Sequence, residues 1–442
     1  MAVISRAIPT LLRGISQSSD ALKQADHADI QDNADSNPVL GLTKRSGSQF
    51  LASVGSSTLG NVHIQTINRD ANEQYVAIFS NGNVKVFELD GNELTVNKPD
   101  GTTYLNTSNP RSVIKTVTIA DFTFVVNTGI TPAMDSAVSN SASNITQAIV
   151  FINQATAKTT YSVTVDGVTV TDDTTGNDPL STTTVATDLT AGLNSGLTGF
   201  TIARNGPVIH IKKNDGSNFS IDGSDSQGNT KMTVIKNTVQ QFTDLPNVSP
   251  NGYVVEIVGD EGTDFDNYYV KFTTNNGNAF EEGQWSETVE AGIPFKFNYD
   301  TMPHVLIRQA DGNFRFARVD GDTYTISGTT YTLPKWGERV VGDLVSSPDP
   351  SFIGNKINNV FFFRNRLGFL AADNVVLSTV SDFFNFFPET VISVLDTEPI
   401  DVAASHTKVA ILKHAVTMGE KLILFSEQTQ FVLSSSADNL TP

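Results

Sequence analysis

A mainly β fold, α+β overall, is predicted for this chain of 442 residues by three observations. The first is a repeated pattern: a short apolar strand, a polar turn of a few residues, then a second strand. It occurs in YVAIFSNGNVKVFEL (75–89), HVLIRQADGNFRFARV (304–319), LGFLAADNVVLST (367–379) and KLILFSEQTQFVLS (421–434). The second is composition. Hydrophobic residues are 39% and charged residues 17%, and Gly, Ser, Thr and Asn are plentiful, as in a collapsed chain of strands and turns and unlike a disordered one. The third is a compact stretch in which a helix lies between strands, which supplies the α component. The length suffices for ample buried core in roughly two to four domains. With 27 Phe against 2 Trp, aromatic packing falls on Phe.

Residues 1–48 read as an N-terminal arm. Ile4, Ile8, Leu11 and Ile15 stand at helical spacing, but Arg6, Arg13 and Pro9 interrupt them and no cleavage site follows. The expectation is an arm docked on its own protein or on a neighbour, in preference to a targeting segment. Residues 49–134 hold the first hairpins, and Asn81-Gly82 and later Asp311-Gly312 supply residues that accept positive φ in tight turns. Residues 135–300 read as an inserted region. In TTYSVTVDGVTVTDD, Tyr161, Val163 and Val165 alternate with Ser162, Thr164 and Asp166 around a turn at Asp166-Gly167. Val185, Leu189 and Leu193 then fall on one helical face that ends at Ser195-Gly196. Further strands follow, with a turn at Asn205-Gly206, then YVVEIVGD and NYYVKFTT. Residues 301–442 return to hairpins, and IFSNGNVKVF and LFSEQTQFVL both place Phe-Ser before the turn. Recurrent hairpins fit radial repetition of small sheets, as in a β-propeller, and a sandwich stays open at this level.

Chemistry is sparse. The absence of cysteine excludes disulfides, thiolate metal sites and a Cys nucleophile. His27, His63, His210, His304, His406 and His414 form no HExxH or other zinc spacing and read as structural; His406 and His414 flank VAILK. NDGSNFSIDGSDSQGN (214–229) lacks the spacing of an EF-hand and reads as Asx-rich turns. Asp396, Glu398 and Asp401 permit a glycosidase pair, as almost any acidic loop does, and Glu281-Glu282 read as a solvated pair. There is no phosphate-cradling glycine motif, no cofactor is expected, and no apolar run has the roughly 18 residues of a membrane span. Lys and Arg total 29 against 47 Asp and Glu, a net −18, which forfeits the counterion release that drives duplex binding. A sequence-reading DNA-binding role is disfavoured.

The phrases VFFFRNRLGFL, SDFFNFF, LDTEPIDVAAS, ILKHAV and LFSEQTQFVLS, in this order, closely resemble the nozzle, or tail tubular protein B, family of short-tailed bacteriophages (podoviruses). RGISQSSDALKQADHADIQDNADSNPVLGLTKRSG resembles the family's opening segments, with Arg13 where Gly and Ser46 where Pro are frequent. NGYVVEIVGD, DNYYVKF, WSETV and TMPHVLIRQADGNF are similar as well. The resemblance implies a β-propeller-like scaffold with an inserted small α/β module and an N-terminal arm. It also implies that the family's C-terminal part is absent from this chain.

By the same resemblance the chain is no enzyme but a structural subunit of the virion's short non-contractile tail. Six copies would form a tube below the adaptor ring (tail tubular protein A), dock tail fibres, and pass genomic DNA without sequence-specific binding or membrane insertion. Six copies at −18 each give a formal −108; this charge either repels the passing duplex from the lumen or only keeps the surface soluble. The matching positions are Phe361, Phe362, Phe363, Arg364, Arg366, Phe383, Phe384, Phe386, Phe387, Asp396 and Asp401. Arg364 and Arg366 read either as a solvent-facing turn or as carboxylate partners between blades or subunits. The SDFFNFF phenylalanines read as core anchors, with a subunit interface as the alternative. Two other functions are weighed: a tail-associated glycan hydrolase, and a host-glycan-binding module using exposed Trp285 or Trp336.

Overall fold

The computed structural model describes residues 11–54, 59–139, 144–174, 181–259, 267–407, 409–434 and 441–442. Two compact units emerge, one of residues 1–57 with 90–92 and one of the remainder. In the first, Ala34–Asn37 pairs antiparallel with Gly41–Lys44, and Ile15 bridges Ala28. None of residues 11–54 is buried, so this unit has a hairpin without a core of its own. The helical spacing read at Ile4 and Ile8 lies outside the described residues.

The second unit contains four sheets that pack in succession, every strand pair in them antiparallel except Val96–Asn97 with Phe314–Ala317, which is parallel. His63–Asn68, Gln74–Ser80, Asn83–Glu88 and Glu93–Leu94 form a meander of four strands. The next sheet has five strands, in the order Val96–Asn97, Phe314–Ala317, His304–Arg308, Phe122–Asn127, Ile114–Ile119. It joins strands from either side of a long excursion of the chain, with His304 opposite Val125 and Ile307 opposite Phe122. Ile357–Phe363, Arg366–Ala371, Asn374–Leu377 and Ile400–Ala403 make the third sheet. Leu412–Met418, Lys421–Ser426 and Gln430–Leu433 make the fourth, of three strands. The strand near VAILK thus begins only at Leu412 and includes His414 within it.

Alternation along these strands gives each sheet two faces, and the faces fill three successive cores. Ala77, Phe79, Val84 and Val86 of the first sheet meet Val125, Leu306, Phe314 and Phe316 of the second. Phe124, Val126, Val305 and Ala317 on the other side of the second sheet meet Val360, Leu367, Phe369 and Val376 of the third. Phe361, Phe363, Leu370 and Val375 then meet Leu412, Leu422 and Leu424 of the fourth.

The excursion between Asn127 and His304 carries its own cores. Phe200–Asn205, Val208–Lys213, Gln147–Ile152 and Met232–Ile235 form one sheet, and Val168–Asp173, Thr160–Val165 and Ile221–Asp225 another. The helix Thr182–Gly196 starts at Ser181, whose side chain accepts from the Thr184 N–H, and buries Val185, Ala186, Leu189 and Leu193. Asp166 and Gly167, at φ 44° and 83°, make the left-handed two-residue turn read from the sequence. Because Asn205 pairs with Val208, the next turn is centred on Gly206-Pro207, one residue later than expected. Val254–Val258, Asn267–Thr274 and Phe280–Thr288 extend a further sheet, as the two clearest strand words predict.

Candidate functional site

The third sheet and the loop that leaves it concentrate the residues singled out above. Strands Ile357–Phe363 and Arg366–Ala371 are joined by Arg364-Asn365, at φ 46° and 58°, a tight left-handed turn. Gly368 faces Phe361 across the pair, and a Cβ there would lie 2.3 Å from the Phe361 ring. The glycine therefore makes room for the ring. Phe361 and Phe363 point to the core shared with the fourth sheet, whereas Phe362 is half-buried and meets Phe383 edge-on at 5.5 Å.

Arg366 is buried at 1% exposure. Its Nη1 donates to the Ser378 carbonyl at 2.7 Å, the Thr397 carbonyl at 3.3 Å and the Glu398 carbonyl, and its Nη2 donates to the Asp396 carbonyl at 3.0 Å. Burial pulls its pKa below the ordinary guanidinium value. Several oriented carbonyl dipoles compensate the lost hydration. One side chain thus holds the start and the end of the loop between Leu377 and Ile400. This differs from both the solvent-facing turn and the carboxylate pair read from the sequence. Arg364 is nearer to those readings: half-buried, over the Phe363 ring, with Glu420 at 3.8 Å.

The loop's SDFFNFF segment packs inward. Phe386 stacks on Phe369 at 5.1 Å and meets Phe352 edge-on at 5.3 Å. Phe387 stacks on Phe297 at 5.0 Å, and Phe384 contacts Phe122, Phe124 and Trp336. Asn385 shapes the turn by donating to the Phe387 carbonyl at 3.0 Å and accepting from the Phe387 N–H at 3.1 Å. Phe386 and Phe387 are buried and Phe383 and Phe384 half-buried, a geometry that favours core anchoring. Glu287, from the excursion's last sheet, accepts from Thr390 Oγ1 at 2.6 Å and from the Val391 N–H at 3.0 Å, and so ties the loop to that sheet.

A second buried guanidinium escaped the sequence reading. Arg339 is 1% exposed, lies 5.0 Å above the Phe387 ring, donates from Nε to the Ser347 carbonyl at 2.7 Å, and reaches Asp349 and the Pro294 carbonyl. Its sequence signal is slight, an arginine between Glu338 and the Val340-Val341 pair.

The whole chain, residues 1–442, matches the family described as bacteriophage nozzle protein. The chain belongs to the bacteriophage nozzle protein family. It is 35% identical over 448 residues to tail tubular protein gp12 of Escherichia phage T7, a match covering 99% of this chain and 54% of that relative. The chain thus spans about half the length of the relative it matches. Membership makes it a structural component of the virion tail.

The remaining positions fit a nozzle-family scaffold. Asp396 is exposed and contributes its carbonyl to Arg366; Asp401 accepts from the Ser351 N–H at 2.7 Å. Glu398 is buried, and desolvation raises its pKa against the pull of backbone donors that include Thr390 N–H. The carboxylates of Glu398 and Asp401 are engaged with backbone N–H groups. The glycan-stacking expectation is corrected for Trp336. Trp336 is fully buried among Phe124, Phe369, Phe384 and Phe386, and Trp285 packs on Phe272 while donating to the Pro246 carbonyl at 2.7 Å. The Trp336 indole is consumed by packing, whereas Trp285 is half-buried. In the 214–229 stretch, Asp225 accepts from the N–H groups of Gln227, Asn229 and Lys231, as Asx-rich turns do. Among the described residues no group of three or more His, Cys, Asp or Glu side chains is placed to hold a metal ion.

Proposed function

We propose that six copies of this chain form the nozzle of a short phage tail, a tube below the adaptor ring that docks tail fibres and conducts DNA during ejection. The observation that carries this reading is the match to the nozzle family along the entire chain. The scaffold we propose is propeller-like, built from the hairpin regions 49–134 and 301–442, with residues 1–48 as an arm and 135–300 as an insertion. Successive sheets joined by apolar cores support it, because close-packed interiors resist deformation and a conduit needs a fixed bore. Within it, Phe361, Phe363, Phe386 and Phe387 anchor sheet to sheet, and Arg366 holds the long loop to the third sheet. The net charge of −18 disfavours adhesion of the passing duplex, whose phosphates find no excess of cations.

Electron cryomicroscopy of the intact tail with sixfold averaging tests the assignment. The expected result is continuous density for VFFFRNRLGFL and SDFFNFF below the adaptor ring. Well-resolved density for the other tail proteins, with no place for these segments or with a different symmetry, would overturn it.

A further inference from the structure

The N-terminal hairpin presents a fixed apolar tip. Asn37 Oδ1 accepts from the Val39 N–H at 2.8 Å and from the Leu40 N–H at 3.2 Å, an Asx turn that sets the conformation of the tip. Val39 and Leu40 are 88% and 73% exposed there. Leu42 and Lys44 follow on one face of the hairpin, both exposed, and Arg45 is exposed beside them. Among the described residues neither Lys44 nor Arg45 joins an ion pair. Charge sets this arm apart from the rest of the chain. Residues 1–57 hold five Lys and Arg against five Asp and no Glu, so the whole −18 falls on residues 58–442.

A matching surface stands on the second unit, where two loops are pinned to one strand end. Gly342 donates its N–H to the Thr288 carbonyl at 3.2 Å and accepts from the Glu290 N–H at 2.8 Å, while Glu287 accepts from Thr390 Oγ1 and the Val391 N–H. The loops touch, with Val391 Cγ1 2.9 Å from where a Cβ on Gly342 would lie. They carry Val340, Leu344, Val345, Ile392, Val394 and Leu395, all between 38% and 75% exposed. The tip 392–395 is tied at both ends, by Glu287 before it and by Arg366 on the Asp396 carbonyl after it. Apolar side chains so fixed are held out in water, as at a contact surface. Glu389 and Asp396 flank the tip, both exposed and neither in an ion pair among the described residues.

We infer that the hairpin tip 37–45 of one copy seats on the two-loop surface 340–345 and 392–395 of a second copy. Val39, Leu40 and Leu42 cover the apolar side chains, and Lys44 and Arg45 meet Glu389 and Asp396. Apolar area supplies the affinity and the charges set the register. A second copy is the occupant because the two surfaces complement each other in apolar character and in charge while belonging to the same sequence. Such a contact is heterologous, and its repetition about a closing rotation makes a ring. The inference rests on the reading of the chain as a ring-forming nozzle subunit and adds where the copies meet.

The sequence has no cysteine, so introduced thiols report alone. Tails are purified from phage whose nozzle gene carries Leu40→Cys with Val394→Cys and are treated with a short bismaleimide. The expected product is a ladder of covalently joined chains, whose digest links the peptide of residue 40 to that of residue 394, and which neither single variant gives. The same link within one chain assigns the arm to its own body and overturns the inference. A link from residue 40 to any other peptide, or no link in tails that keep sixfold density, overturns it as well. Tails without a sixfold ring of this chain overturn the nozzle reading itself, and the inference with it. A second set of variants reads the contact by charge. Glu389→Lys with Asp396→Lys is expected to weaken association of purified copies about tenfold in sedimentation equilibrium, and Lys44→Glu with Arg45→Glu in the same chain to restore it. The Asp396 carbonyl that holds Arg366 is kept in these variants. Unchanged association after the first pair of substitutions, or no rescue by the second, overturns the inference.

Discussion

Arg366 ties the third sheet to both ends of the loop that leaves it. Its guanidinium satisfies carbonyls from Ser378 and from the Asp396–Glu398 segment in a buried setting, and a methionine of similar reach leaves those acceptors unpaired. Each buried group so orphaned costs about 1–3 kcal/mol, so Arg366→Met is expected to lower stability by roughly 3 kcal/mol or more in urea titration. Arg366→Lys keeps the charge but not the planar fork and is expected to recover only part of the loss. His304 gives the chain an acid sensitivity. Its ring is stacked 4.0 Å from Tyr104 and 5.5 Å from Phe316, and its Nδ1 pairs with the Met302 carbonyl. Burial lowers its pKa to about 4, with smaller effects from Asp100, Arg318 and Asp300. An unfolded histidine titrates near 6.5, so between these values the unfolded chain binds the extra proton and stability falls as pH drops from about 6.5 towards 4. The loss at the lower end is on the order of 3 kcal/mol from this residue. Urea midpoints at pH 7 and pH 4.5 are expected to differ accordingly, and His304→Phe is expected to narrow the difference, leaving the share of His210, which burial also holds at about 4.

At the scale of the element, two neighbouring positions on one strand pair are expected to respond with opposite signs. Gly368→Ala places a methyl 2.3 Å from the Phe361 ring, and overpacking of this kind costs about 1–3 kcal/mol. Ala372 holds φ 50° in the next turn, and Ala372→Gly relieves a left-handed strain of about 1–2 kcal/mol at a smaller entropic cost. Thermal midpoints of the two variants should therefore move down and up. The hairpins themselves are legible in sequence because both strands and the turn lie within about fifteen residues and obey period 2. The helix is legible through Val185, Leu189 and Leu193 for the same local reason. The pairing of Phe122–Asn127 with His304–Arg308 is not, since nothing local marks a partner beyond an excursion of that length. Arg366 and Arg339 are illegible in their roles because most of their acceptors are backbone carbonyls, which every residue type carries. Trp336 misleads for a related cause: indoles suit sugar stacking and core packing equally, and only the tertiary fold decides between them.

For the whole molecule the charge balance sets the sign of a salt effect. Each copy carries a formal −18, so bringing copies together in the proposed tube concentrates like charge at separations comparable with the screening length. That length falls from about 10 Å at 0.1 M salt to about 3 Å at 1 M. Repulsion between whole copies therefore weakens with salt, while apolar contacts between them do not. Association driven by apolar faces is expected to tighten as ionic strength rises, with sedimentation velocity at 0.05 M and 0.5 M salt showing the larger assembled fraction at the higher value. An interface held mainly by complementary ion pairs gives the opposite trend, because the same screening loosens attraction between the pairs. Loss of assembly on adding salt would thus sink the view that the copies meet through apolar surface under a net repulsion, and would direct attention to charge pairs at the subunit boundary.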